Sequence, residues 1–160
     1  MDNRFSHLDK KGNARIVNIS KKKKSSRYAK AQATVWLSSK IIAMIKNDEF
    51  KKGNVISVAR IAGIMGAKQT SNLIPLCHNI SLDSSEINFR LLEEELEIVS
   101  IVQSEEKTGV EMEALTAVTI SALTVYDMLK AVDKTMTILN TRLVLKDGGK
   151  SGLYKYKEKK

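Results

Sequence analysis

Acidic and basic side chains stand in one of the most apolar stretches of the chain. "EMEALTAVTISALTVYDMLKAVDK", residues 111–134, carries Glu111, Glu113, Asp127 and Lys130 among Ala, Leu, Val, Thr and Met. Taking an ionised group out of water costs on the order of several kcal/mol unless a partner offsets it. Charges kept in such a stretch are therefore candidates for proton transfer or ligand binding. Glu113 and Asp127 are fourteen residues apart, which on a helix is about 40° in azimuth and ~21 Å along the axis. They are expected to share a face with Thr116 and Thr124. At that distance they cannot serve one small-molecule site within one chain. Either they belong to separate functions, or a second copy brings one helix end to the other, which predicts a homo-oligomer with sites between subunits. Lys130 lies three residues past Asp127 and within pairing reach. An exposed pair of this kind is worth little, but the apolar residues of "TVYDML" argue against exposure.

"LIPLCH" sets the thiol of Cys77 beside the imidazole of His78. Adjacent side chains on an extended segment point opposite ways, so the two are not expected to form a nucleophilic dyad. Cys77 reads as a small buried residue, and His78 as either a site residue or a satisfied structural one. "KDGGKSG" has the ingredients of a phosphate loop but neither the Walker spacing nor a following helix. Lys52, Arg60 and Lys68 add positive charge around "VISVARIAGIMGAK". With a single Cys and two His in 160 residues, no internal disulfide forms, a four-ligand zinc site is not expected, and a reduced, cytoplasmic compartment fits best.

These groups need elements to position them. "RYAKAQATVWL" alternates strictly at Ala29, Ala31, Ala33, Val35 and Leu37, the period of a strand with one buried face. Ser38 is placed to cap a helix over "SKIIAMIKN", and "KKGN" reads as a turn. In "VISVARIAGIMGAK" the spacing of Val55, Val58, Ala59, Ala62, Met65 and Gly66 predicts a helix, with Gly63 and Gly66 allowing another element to pack close. Pro75 ends any helix reaching "SNLI" and leaves "LCHN" on a loop or strand start. "EINFRLL" and "LEIVSIVQS" flank an acidic turn at Glu93–Glu95 and predict a hairpin. "EEKTG" is a loop before the long helix, "TILNTRLVLK" a last strand, and "RIVNIS" a short strand-like piece near the N-terminus. The order predicts an α+β sandwich, a mainly antiparallel sheet with helices on one face. The expected division is a flexible basic segment over 1–24, one α+β domain over 25–150 and a basic tail over 151–160.

The net charge of +9 is concentrated at the ends: residues 1–30 hold ten Lys or Arg against two Asp, and 150–160 hold five Lys against one Glu. The run Lys21–Lys24 reads as solvated charge, and with little aromatic interleaving no nucleic-acid partner is expected. No apolar run reads as a membrane span and no signal peptide is evident, so no membrane association is expected.

The strings "ARIAGIMGAK.T..LIPLCH", "KTGVEMEALTAV", "AL.VYDM.KAVDK" and "GGKSG", in this order from about residue 15 to 153, resemble the signature blocks of the cyclic pyranopterin monophosphate synthase family of molybdenum-cofactor biosynthesis. The resemblance implies a ferredoxin-like α+β fold, a homohexamer built as a trimer of dimers, and sites between protomers. It implies a lyase of the phosphorus–oxygen type. Its substrate is GTP-derived: 3′,8-cyclo-7,8-dihydro-GTP is converted to cyclic pyranopterin monophosphate with release of pyrophosphate. Asp127 takes the position of the catalytic acid/base, with Lys52 and Lys130 as further catalytic groups. Leu76, Cys77 and His78, with Glu111, Met112 and Glu113, take pocket-lining positions, and Arg27 and Lys146 basic positions near the substrate. Three residues depart from the family pattern: Asn79 stands for proline, Asn54 for aspartate and Glu106 for glycine.

A triphosphate needs several cations, which Lys52, Lys130, Lys146 and Arg27 supply. Ring opening, ring building and cyclic phosphate formation need proton transfer and charge stabilisation without redox change, so no cofactor and no metal are expected. The rival is a non-catalytic module whose basic ends grip RNA or an acidic partner. Deleting residues 1–24 is expected to separate the two, leaving turnover intact in an enzyme and abolishing salt-sensitive binding in a module.

Overall fold

The computed structural model describes residues 7–9, 11–47, 49 and 53–158. Its elements run in the order β1 (Ser25–Trp36), α1 (Ser39–Lys46), α2 (Val55–Lys68), α3 (Thr70–Leu73), β2 (Ser84–Leu91), β3 (Glu95–Glu106), α4 (Glu111–Leu129), β4 (Thr137–Asp147) and β5 (Tyr154–Lys155). The sheet order is β2-β3-β1-β4-β5, with every neighbouring pair antiparallel. β3 inserts between β1 and β2, and α4 carries the chain across the sheet to β4. This is the split βαβ arrangement of a ferredoxin-like α+β fold, as the element pattern predicts.

Alternation in β1 does what the sequence leads one to expect. Ala29, Ala31, Ala33, Val35 and Leu37 are all fully buried. Their β3 partners across the ladder, Val102, Ser100, Ile98 and Leu96, are buried too. α4 lies over this face through Ala114, Ala117, Val118, Ala122, Val125 and Leu129. Small residues on both sides bring helix and sheet close enough for the buried Ser100 hydroxyl to donate to the Ala114 carbonyl at 2.7 Å. The opposite face is partly polar, with Gln32 and Arg90 both bonding to Glu97.

The hairpin closes over residues 92–94, with the Leu92 N–H donating to the Glu95 carbonyl at 2.7 Å. α3 ends at Leu73, ahead of Pro75. Two predicted details differ. "RIVNIS" forms no strand; its backbone is instead engaged by side chains from elsewhere, described below. Ser38 stands at the N-cap of α1, but its side chain makes no capping bond to the helix.

The buried stripe of α2 is also rotated from the predicted one. Val55, Ala59, Gly63, Gly66 and Ala67 are buried, whereas Val58 and Met65 are 40% and 60% exposed. The physical reason is close approach. A Cβ on Gly63 would lie 2.1 Å from Ser121 Oγ and 2.9 Å from the Ala117 carbonyl oxygen. The glycine edge, not the bulkiest apolar edge, therefore faces α4, and the Ser121 hydroxyl donates to the Ala59 carbonyl across the junction.

α4 corrects a further expectation. Its 19 residues are long and apolar enough to cross a membrane by length and composition alone. The fold uses that apolarity in its core: eight of the helix's residues are buried, packed between the sheet and α2.

Candidate functional site

The two blocks that read as pocket-lining meet in one place. A cleft of about 480 Å³ is lined by Leu76, Cys77 and His78 from the loop after α3, and by Glu111, Met112 and Glu113 from the first turn of α4. Pro75 breaks the chain after α3, and the turn it starts delivers Leu76–His78 to the N-terminal end of α4. The acidic residues of that turn also sit favourably at the positive end of the helix dipole. Gly109 completes this corner. A Cβ there would lie 1.9 Å from Glu111 Oε2, so only glycine lets the Glu111 carboxylate fold back over the loop.

Glu113 is the electrostatic centre of the cleft. It is 4% exposed. Burial pushes its carboxyl up to about 7, with the charge of Glu111 adding to the effect. Near neutrality it is thus poised between donor and acceptor, the property a proton-transfer or ring-binding carboxylate needs. The Cys77 thiol is driven upward too, by burial and then by Glu113. It is half-buried and reads as a lining group, not a thiolate nucleophile. His78 donates from Nε2 to the Val17 carbonyl at 2.7 Å. It forms no dyad with Cys77 in the hydrogen bonds described, as the extended-segment argument predicts. Among the described residues, no group of three or more His, Cys, Asp or Glu is disposed to hold a metal ion.

A second hollow, strongly basic, adjoins the first. Lys21–Lys24, Ser25, Arg27, Gly149 and Lys150 line it, and Lys22 lines both hollows. Arg27 is anchored by an Nε–H bond to the Glu106 carbonyl at 3.0 Å. Its guanidinium lies against Gly149, where a Cβ would sit 1.8 Å from Nη1. Gly148 and Gly149 both have positive φ, +95° and +73°, so the "GGKSG" turn is shaped to admit Arg27. Lys146, on β4 opposite Ala29, donates to the Ser151 hydroxyl of the same turn.

Asp127 and Lys130 lie elsewhere, at the C-terminal end of α4. They pair at 2.7 Å with side chains 69% and 53% exposed, and the hydrogen bond and charge of Asp127 raise the Lys130 ammonium pKa. The expectation of a buried pair is therefore corrected within one chain. Glu113 and Asp127 also differ in burial, the first buried and the second exposed, although the regular helix keeps them within about 40° of one another. Lys130 is the C-cap, not a residue within the helix. Lys52 lies outside the described residues.

Sequence reasoning missed one whole wall. His7, Val17, Ile19 and Lys22 line the cleft from the N-terminal segment, and Thr108 and Gly109 from the loop before α4. Residues 17–22 have no periodicity that signals a site. The only hint was the apolar Val17 and Ile19 in an otherwise basic stretch.

Comparison with known proteins follows the same geometry. The family model described as the MoaC family matches residues 16–149, which includes every cleft-lining residue named except His7. A cyclic pyranopterin monophosphate synthase of Peptoclostridium acidaminophilum is 51% identical over 150 residues, covering 94% of this chain and 96% of the relative. One from Clostridium perfringens (strain SM101 / Type A) is 51% identical over 158 residues, covering 98% and 100%. One from Streptomyces griseus subsp. griseus is 46% identical over 153 residues, covering 96% and 86%. A match spanning most of the domain, with near-full-length relatives sharing half their residues, places the assignment beyond fold alone: the chain belongs to the MoaC family.

Proposed function

We propose that this chain acts as a cyclic pyranopterin monophosphate synthase, a lyase that converts 3′,8-cyclo-7,8-dihydro-GTP to cyclic pyranopterin monophosphate and pyrophosphate in molybdenum-cofactor biosynthesis. The observation that carries the reading is the 51% identity to synthases of that name across 94% or more of the chain. The geometry supports it. A fused nitrogen ring presents N–H donors that suit the paired carboxylates and imidazole of the cleft. A triphosphate suits the lysines and arginine of the adjoining groove, where Arg27 offers planar, paired donors. One ligand with an uncharged ring at one end and several negative charges at the other fits both.

Within this reading Asp127 relays protons, and Lys130, bonded to it at 2.7 Å, tunes it through the charge pair. Lys52 joins them as a third catalytic group, while Arg27 and Lys146 hold phosphate oxygens. Leu76, Cys77, His78, Glu111, Met112 and Glu113 hold the ring and ribose. The separation of Asp127 from the cleft along α4 is about 21 Å by helix rise, so Asp127 of one copy serves the cleft of another. That requires a homo-oligomer, for which a trimer of dimers is the assembly we propose, in the cytoplasm. The catalytic domain spans 25–150 with the basic tail 151–160 after it, and segment 1–24 lends it Val17, Ile19 and Lys22 as cleft-lining residues. The decisive experiment is single-turnover conversion of the cyclic dihydro-GTP intermediate by the Asp127→Asn and Lys52→Ala variants. Losses of about 10² or more in rate are expected for groups that transfer protons; rates near wild type in both would remove the assignment.

A further inference from the structure

The wall that sequence reasoning missed is attached at three points. The Val17 carbonyl accepts from His78 Nε2 at 2.7 Å. The Ser20 carbonyl accepts from Lys107 Nζ at 3.1 Å. Lys24 Nζ pairs with Glu106 Oε1 at 2.9 Å. No strand or helix covers residues 15–24, so these side-chain bonds stand where a ladder would otherwise be. Two of the three lead to Glu106 and Lys107, the start of the loop that carries Thr108 and Gly109 into the cleft. The Glu106 carboxylate also accepts from the Lys107 N–H at 3.3 Å, and its carbonyl holds Arg27. Val17, Ile19 and Lys22 thus line the cleft because His78 and the 106–107 corner hold their backbone in place.

The first of these bonds has a chemical consequence. A carbonyl oxygen has no proton to give, so Nε2 of His78 must carry one. In the neutral ring that leaves Nδ1 as the acceptor.

We propose that residues 17–24 are a built wall of the ligand cleft, and that the Val17 carbonyl is a positioning group fixing His78 in the Nε2–H tautomer, so that Nδ1 accepts from an N–H of the ligand ring. The identity of that ring as a reduced pterin precursor rests on the function proposed above; the tautomer and the wall do not. The proposal reverses the expectation for removing residues 1–24. In an enzyme built this way, deletion strips one side of the cleft and frees His78 to turn.

The test uses the full chain. Long-range 1H–15N correlation of the two histidines, with His78 identified by its absence in His78→Gln, is expected to show His78 protonated at Nε2. A ring protonated only at Nδ1 overturns the proposal. Hydrogen exchange then reads the wall. Losing one net hydrogen bond speeds local opening by about fivefold, so His78→Ala and Glu106→Gln should accelerate exchange across amides 18–24 by that factor. His78→Gln, whose side-chain amide reaches the Nε2 position, should restore protection. Unchanged exchange in both weakened variants overturns the wall. In turnover, His78→Gln keeps the donor but lacks the Nδ1 acceptor, so KM should rise several-fold more than kcat falls; an unchanged KM overturns the role of Nδ1. If the wild-type chain shows no synthase turnover, the functional reading fails while the tautomer and exchange results still decide this proposal.

Discussion

Glu113 concentrates the cleft's electrostatics in a single side chain. Its carboxyl is raised from 4.5 to about 7 in the folded protein by burial. A raised acid binds its proton more tightly folded than unfolded, so its contribution to stability is complete below about pH 4.5 and fades as pH climbs through 7. At about 1.4 kcal/mol per pH unit, the full effect is on the order of 3 kcal/mol. Urea denaturation of wild type and Glu113→Gln across pH 4 to 8 checks this. The difference between the two proteins should change by roughly that amount, with wild type losing ground toward alkaline pH; a difference that does not vary with pH would mean the carboxyl ionises normally. Gly149 makes a second residue-scale case. Alanine there meets Arg27 Nη1 at 1.8 Å in a backbone with φ +73°. We expect Gly149→Ala to push Arg27 aside and raise KM for the triphosphate substrate about tenfold, the loss of one charge-assisted contact, while kcat changes less. Steady-state kinetics checks the split.

Elements act through how closely they approach. The α2–α4 junction is set by Gly63, whose missing side chain makes room for Ser121 and the Ala117 backbone. Alanine normally stabilises a helix by about 1 kcal/mol over glycine. At Gly63 the opposite is expected, a net loss of about 1–3 kcal/mol from overpacking, because one of the contacts is backbone that cannot swing away. At Gly66 the added Cβ meets only the Ile120 side chain, at 2.9 Å, so Gly66→Ala should cost less. Denaturation midpoints of the two variants test the ranking, which a more stable Gly63→Ala would refute. The same contact explains the rotated stripe of α2. The close approach at Gly63 and Gly66 was legible in the sequence and is what the structure shows; hydrophobic spacing still favoured Val58 and Met65 as core, because it does not say that the glycine edge displaces the bulkier one.

At the scale of the whole molecule, one chain assembles two hollows and leaves Asp127 at the far end of α4. The shared site proposed above would make this separation useful, and it predicts complementation. Asp127→Asn and His78→Ala should each be poorly active alone. Mixed oligomers, formed by co-expression or by dissociation and reassembly, should recover a substantial fraction of wild-type turnover, because some sites then draw both intact groups from different copies. Recovery absent from oligomers shown to be mixed would mean each chain works with its own groups. Basic charge also has a whole-molecule meaning. Lys21–Lys24 read as solvated charge, yet they line a groove with Arg27 and Lys150, and Lys24 is spent on the Glu106 pair.

The sequence by itself determined what depends on local period and local chemistry. Alternation named β1 and its buried face, the acidic turn between apolar runs named the hairpin, and Pro75 with its neighbours placed "LCH" on a loop. The ordered blocks named the family, and helix rise alone separated Glu113 from Asp127. Tertiary structure decided what depends on non-local approach. It brought residues 76–78 and 111–113 to one cleft, buried Glu113 while exposing Asp127, turned the glycine edge of α2 inward, and gave "RIVNIS" a place as a wall in place of a strand. Each of these turns on which distant backbone comes near, and a carbonyl such as that of Val17 is the same in every residue, so no pattern of side chains announces it.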